Sequence, residues 1–222
     1  MKNNRERVIR MTNFKGAIFD MDGTLLDSMG LWSDIDREFL AKRGIDVPSD
    51  YLQAVIYLGA MGTALYTIDR FNLSDTPEGL IAEWNSMAAE KYKTIPEKPG
   101  ALEYLEYLNG KGVQIALATA TDIKLVNAAL EDRKLNSYIG SITTVPEVGI
   151  GKESPDIYLK ACEKMNLKPS ECIVFEDILI GIQTAKKAGF AAVAMHDDFS
   201  GDNEKQIRLT ADKYISDFRE MI

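Results

Sequence analysis

The chain has 222 residues, 45% of them hydrophobic and 27% charged, with 34 acidic against 26 basic side chains and a formal net charge of -8. That mixture suits a globular chain long enough for one sizeable core, or a core with a small second domain. The negative balance leaves no electrostatic footprint for nucleic acid, and no apolar run approaches the roughly 20 residues that a membrane span needs.

Residues 1–10 are polar and basic, with Arg5, Arg7 and Arg10, and lack the apolar stretch of a secretory signal. They read as a surface extension, and a cytoplasmic monomer is expected. Lys15-Gly16-Ala17-Ile18-Phe19 is short, apolar and partly β-branched, which predicts a strand. It runs into Asp20-Met21-Asp22-Gly23-Thr24-Leu25-Leu26-Asp27-Ser28. Gly23 marks a break, so Asp20 and Asp22 stand where a buried strand ends and a turn begins. Two carboxylates one residue apart at such a point are costly unless a cation or hydrogen bonds balance them.

The next stretch is helical. Apolar residues at 31, 32, 35, 39 and 40 predict a helix over 31–42, closed by Gly44 and Pro48. A second is expected over about 49–58. Gly59 and Gly62 then interrupt, and Leu65, Ile68 and Phe71 mark a third. Leu80, Ile81, Trp84, Met87, Ala88 and Tyr92 form the apolar stripe of a fourth, entered near Pro77. Residues 30–93 therefore form an all-helical block inserted after the first strand, with crossings near 28–30 and 94–99.

From Pro99 strands and helices alternate. Ala101, Leu102, Leu105 and Leu108 define a helix that stops at 110–112, and residues 113–118 form a strand running into Thr119. A helix follows on Ile123, Val126 and Leu130, then a short strand near 140–145. Tyr158, Ala161, Cys162 and Met165 fit a helix after Pro155. Residues 172–175 form a strand ending at Glu176-Asp177. A helix over 181–188, a strand over 191–195 and a short strand near 212–215 complete the pattern. Such alternation predicts an α/β fold, a Rossmann-like parallel sheet covered on both faces.

Ligands of an open parallel sheet bind outside the carboxyl ends of its strands. Those ends carry Asp20 and Asp22, Thr119, and Glu176 with Asp177, and Lys152 lies in the loop before Pro155. Carboxylates, a hydroxyl and an ammonium suit a hard cation such as Mg2+ beside a phosphate. Zinc is not favoured: His196 is the only histidine, and Cys162 and Cys172 form no metal-binding pair and read as two buried thiols. A carboxylate can attack phosphorus once the phosphate charge is neutralised. Mg2+ and Lys152 would neutralise it, and Thr119 with neighbouring N–H groups such as that of Ala120 would hold the non-bridging oxygens. Asp22 would protonate the departing oxygen and later activate water. Asp177 would bind the metal with Glu176 in support.

These motifs resemble those of the haloacid dehalogenase-like phosphohydrolases, and the string Asp20-Met21-Asp22-Gly23-Thr24-Leu25-Leu26-Asp27-Ser28 is closest to the β-phosphoglucomutase-like branch. The resemblance covers about 15–215. It implies Asp20 as nucleophile, Asp22 as general acid/base, Thr119 and Lys152 on the phosphate, and a metal set of Asp20, Asp22 and Asp177 supported by Glu176. It implies an α/β core over 1–29 and 94–222, and a helical cap over 30–93 that closes over the core. The expected activity is Mg2+-dependent hydrolysis of a small phosphorylated metabolite through an aspartyl phosphate, the alternative being a phosphosugar mutase.

The sequence departs from that branch at four places. Glu153 stands where Pro is usual in the lysine loop, and Ile178 where Ser commonly follows the acidic pair. Trp32 stands where the sugar-phosphate mutases have a histidine. The loop Gly59-Ala60-Met61-Gly62 lacks their arginine. The last two changes remove groups that those enzymes use on a second phosphate or a hydroxyl.

Overall fold

The computed structural model describes residues 13–55, 58–131 and 133–222. The expected extension over 1–10 lies outside them, as do residues 56 and 57 of the second expected helix. Six strands are described: β1 (Gly16–Phe19), β2 (Gln114–Thr119), β3 (Ser141–Thr144), β4 (Cys172–Glu176), β5 (Ala191–Met195) and β6 (Lys213–Ile215). They form one all-parallel sheet in the order β3-β2-β1-β4-β5-β6.

The strands are nearly continuous apolar runs because both faces of the sheet are covered. Side chains of successive strand residues point to opposite faces. Ala17, Phe19, Leu117 and Phe175 join one buried cluster, while Ile18, Ala116, Ala118 and Val174 join another. On the first face, the Phe19 and Phe175 rings stack with centroids 4.4 Å apart, and Tyr104 meets both edge-on.

Between β1 and β2 run α1 (Met29–Ala41), α2 (Tyr51–Val55), α3 (Gly59–Phe71), α4 (Pro77–Tyr92) and α5 (Ala101–Gly110). The expected crossing at 28–30 is therefore the entry and first turn of α1. Helix α3 begins at Gly59, six residues before Leu65, and Gly62 lies inside it. Gly59, at φ 65°, makes the left-handed turn into the helix. Gly62 costs about 1 kcal/mol against Ala, but Ala64 and Thr67 are buried in the block and the Thr67 hydroxyl lies 2.6 Å from that of Tyr51, so packing outweighs propensity. Helix α4 starts as anticipated, with Pro77 in its first turn and the Thr76 hydroxyl accepting from Gly79 N–H.

The later helices are α6 (Ile123–Leu130), α7 (Val145–Val148), α8 (Asp156–Lys164), α9 (Leu179–Lys187) and α10 (Glu204–Thr210). Helices α7 and α10 have no counterpart in the sequence reading, since α7 is a single turn and α10 buries only Ile207. Cys162 and Cys172 are free, buried and adjacent, with sulfurs 3.6 Å apart. Among the described residues no helix is long and apolar enough to cross a membrane.

Candidate active site

The chain leaves β1 to build β2 on one side of it and β4 on the other, so the carboxyl ends of these three strands meet at the centre of the sheet. Phe19 is in register with Leu117 and with Phe175. Asp20 therefore follows β1 level with Ala118 and Glu176, and its N–H donates to the Phe175 carbonyl at 3.0 Å. The turn beyond it is tight: the N–H groups of Leu25 and Leu26 donate to the Met21 carbonyl, and Gly23 adopts φ 77°. A Cβ on Gly23 would collide with the Asp177 carboxylate, so the turn can approach the acidic pair only as glycine.

Lys152, in the loop before Pro155, is buried. Its ammonium lies 2.6 Å from Asp20 Oδ1 and 2.6 Å from Glu176 Oε1. The Ser154 N–H to Gly151 carbonyl bond closes the loop that carries it, and the Thr184 hydroxyl donates to the Glu153 carbonyl. Burial works against the lysine's charge, but Asp20 and Glu176 outweigh it and hold the ammonium above its usual range.

Asp20, Glu176 and Asp177 are all buried, with one oxygen of each within 4.8 Å of the others. Burial pushes the Asp20 carboxyl up to about 8, opposed by Lys152 and reinforced by Glu176 and Asp22. Burial, then the charges of Asp20 and Glu176, hold Asp177 well above the usual carboxylate range. Glu176 Oε2 is buried without a hydrogen-bond partner among the described residues. Three hard oxygen donors against one ammonium, with an orphaned buried oxygen, fit a group that could hold a divalent metal.

Asp22 stands apart. The described contacts place its carboxylate outside the acidic group, with Oδ1 accepting from Tyr92 at 2.5 Å and Ser28 at 2.6 Å, and Oδ2 from Thr121 at 2.6 Å. Thr119 is buried at the end of β2, and its hydroxyl accepts from Thr121 N–H, so its own proton remains to donate. Ala120, next in the chain, is exposed. The structure thus brings Asp20, Lys152, Glu176 and Asp177 together, and gives Asp22 surroundings of its own.

Tyr158, Thr24 and Gly181 also shape the site, which their sequence contexts do not show. Tyr158 donates to Glu176 Oε1 at 2.7 Å, and burial, then the Glu176 charge, hold its phenol well above its usual range. The Thr24 hydroxyl donates to Asp177 Oδ1 at 3.3 Å. A Cβ on Gly181 would lie 2.7 Å from the Tyr158 hydroxyl and 2.8 Å from Glu176 Cδ, which accounts for glycine there. The available signal was that buried tyrosines on helix stripes need a partner for their hydroxyls. His196 follows β5 and lies against Tyr214 and Asp198.

The family model for haloacid dehalogenase-like hydrolases matches residues 14–189. A mitochondrial (DL)-glycerol-3-phosphatase of Arabidopsis thaliana is 31% identical over 189 residues, 82% of this chain. The chain spans 63% of the length of that protein. The fructose-1-phosphate phosphatase of Escherichia coli K12 is 29% identical over 183 residues, 81% of this chain and 95% of that one. Among solved structures, CbbY from Rhodobacter sphaeroides in complex with phosphate superposes with a TM-score of 0.82 at 21% identity, covering 94% of this chain and 96% of the other.

Proposed function

The chain belongs to the haloacid dehalogenase-like hydrolases, and on that premise we propose that it is a Mg2+-dependent phosphatase of small phosphorylated polyols or sugars, acting through a phosphorylated Asp20. The observation that carries this reading is the convergence of the buried Lys152 ammonium on Asp20 and Glu176 at the carboxyl ends of β1 and β4. Two relatives are named for glycerol 3-phosphate and fructose 1-phosphate, both monoesters of small hydroxylated carbon chains, and they support the substrate class.

An Asp20 carboxylate oxygen attacks phosphorus, the ester P–O bond breaks, and the departing oxygen takes a proton from the Asp22 carboxyl. Water then attacks the acyl phosphate and yields a proton to Asp22, releasing inorganic phosphate and the Asp20 carboxylate. The Lys152 ammonium, the Thr119 hydroxyl and the Ala120 N–H hold the non-bridging oxygens. Asp20 and Asp177, with Asp22 as the third member of the set and Glu176 in support, would hold Mg2+, which when bound supplies positive charge against the carboxylates and the phosphate. Residues 30–93 act as a cap over the core formed by 1–29 and 94–222, excluding water and contacting the leaving group. The uncharged Gly59-Ala60-Met61-Gly62 stretch and Trp32 favour hydrolysis over a mutase, which needs groups for a second phosphate. Phosphate release from a panel of monoesters, with Mg2+ and with EDTA, tests the reading; no Mg2+-dependent release from any of them overturns it.

A further inference from the structure

Tyr92 is the last residue of α4, yet its hydroxyl reaches the turn after β1, 70 positions away in sequence, and donates to Asp22 Oδ1 at 2.5 Å. Its ring is fully buried and meets Trp32 of α1 edge-on, with centroids 6.1 Å apart. Its carbonyl, one of those a helix end leaves unpaired, accepts from Arg133 at 2.9 Å, and the same guanidinium nitrogen donates to the Ile95 carbonyl at 2.5 Å. The residue is thus fixed at ring, backbone and hydroxyl. The hydroxyl of this fixed ring ends on a carboxylate.

A carboxylate offers about two lone-pair positions on each oxygen. Among the described residues, Tyr92 and Ser28 occupy both positions on Asp22 Oδ1, whereas Thr121 occupies one on Oδ2. Resting on the phosphatase reading above, we propose that Tyr92 is a positioning residue for Asp22. It fills Oδ1 together with Ser28, and so leaves Oδ2, steadied by Thr121, as the oxygen that gives its proton to the leaving alkoxide and takes one from the attacking water. Because Tyr92 belongs to the helical block and Asp22 to the turn after β1, this bond also ties the proton donor to the placement of α4. Loss of the Tyr92 hydroxyl frees Oδ1 to compete for the proton and lets the carboxyl turn.

The test exploits leaving-group chemistry. An alkyl phosphate needs its leaving oxygen protonated, whereas p-nitrophenyl phosphate releases a stable phenolate that does not. The ratio of kcat/KM on glycerol phosphate to that on p-nitrophenyl phosphate, measured on one preparation, is independent of the folded fraction. Tyr92→Phe is expected to lower that ratio by about tenfold or more, within the range general acid catalysis supplies. Thr121→Val, which frees the other oxygen, is expected to lower it likewise. An unchanged ratio in Tyr92→Phe overturns the positioning role, whether or not both rates fall together. Wild-type protein inactive on both esters and on other phosphate monoesters overturns the phosphatase reading itself, and this inference with it.

Discussion

The Lys152 ammonium lies 2.6 Å from Asp20 Oδ1, and both side chains are buried. It bridges Asp20 and Glu176, so removing it takes the buried cation from both. Lys152→Met is expected to destabilise the metal-free protein by about 3–5 kcal/mol, the usual effect of breaking a buried ion pair from one side. The loss should be smaller in Mg2+, which would replace part of the missing charge. Thermal melts in EDTA and in Mg2+ check this; equal losses in both would argue against a cation site beside Lys152.

Asp20→Asn keeps the size of the side chain and removes the attacking oxygen's charge. Turnover of any phosphate ester is expected to fall by several orders of magnitude, with the fold retained. Because Asp20 is buried among acids, the variant should melt no lower than wild type in EDTA. Near wild-type hydrolysis would remove Asp20 from the role of nucleophile.

The raised Asp20 carboxyl makes a signed pH prediction. Burial pushes it up to about 8 in the folded chain from the ordinary 3.8 of an exposed aspartate. Between those values the folded state holds the extra proton, so this group's contribution to stability is full below about pH 4 and is lost as pH rises towards 8. A cation would bind in place of that proton, so Mg2+ should raise the melting temperature more at pH 8 than at pH 6. Equal shifts at the two pH values would refute metal binding at Asp20.

Gly181→Ala tests the packing behind Glu176. The added methyl meets the Tyr158 hydroxyl and the Glu176 carboxylate, both buried, and overpacking of this kind costs about 1–3 kcal/mol. Activity should fall along with the melting temperature as Glu176 is displaced from Lys152. A variant as stable and as active as wild type would show that Glu176 has room to move.

Hydrolysis and mutase activity separate on one substrate. Supplied with β-glucose 1-phosphate and a catalytic amount of the bisphosphate, the protein is expected to release inorganic phosphate without forming glucose 6-phosphate. An unpaired phosphate against Trp32 and the Gly59-Ala60-Met61-Gly62 stretch would be desolvated without compensation. Efficient glucose 6-phosphate formation with little free phosphate would decide for the mutase.

The sheet and the chemical inventory of its edge were legible in sequence because both are local. Buried parallel strands read as apolar runs, and the polar residue ending each run, Asp20, Thr119 or Glu176, marks the edge where ligands bind. Helices with a wide apolar stripe, such as α4, were equally plain, whereas α10 buries one residue and gave no periodicity to detect. Gly59 and Gly62, which in sequence predict a break, lie within α3, since packing around Tyr51 and Thr67 overrides the cost of Gly62.

What tertiary structure alone decided is which hydroxyl meets which carboxylate. Tyr158 and Glu176 are 18 residues apart, Tyr92 and Asp22 are 70, and Thr121 and Asp22 are 99. A tyrosine on an apolar helix stripe has the same sequence signature whether its hydroxyl meets water, a carbonyl or a reacting acid. Its partner is set by how helices seat against the sheet to within an ångström, and hydrogen bonds are lost over that distance. The same sensitivity separates Asp20 from Asp22: two residues apart in one motif, they are turned by the β1 turn into different surroundings, one facing Lys152 and the acidic pair, the other three hydroxyls.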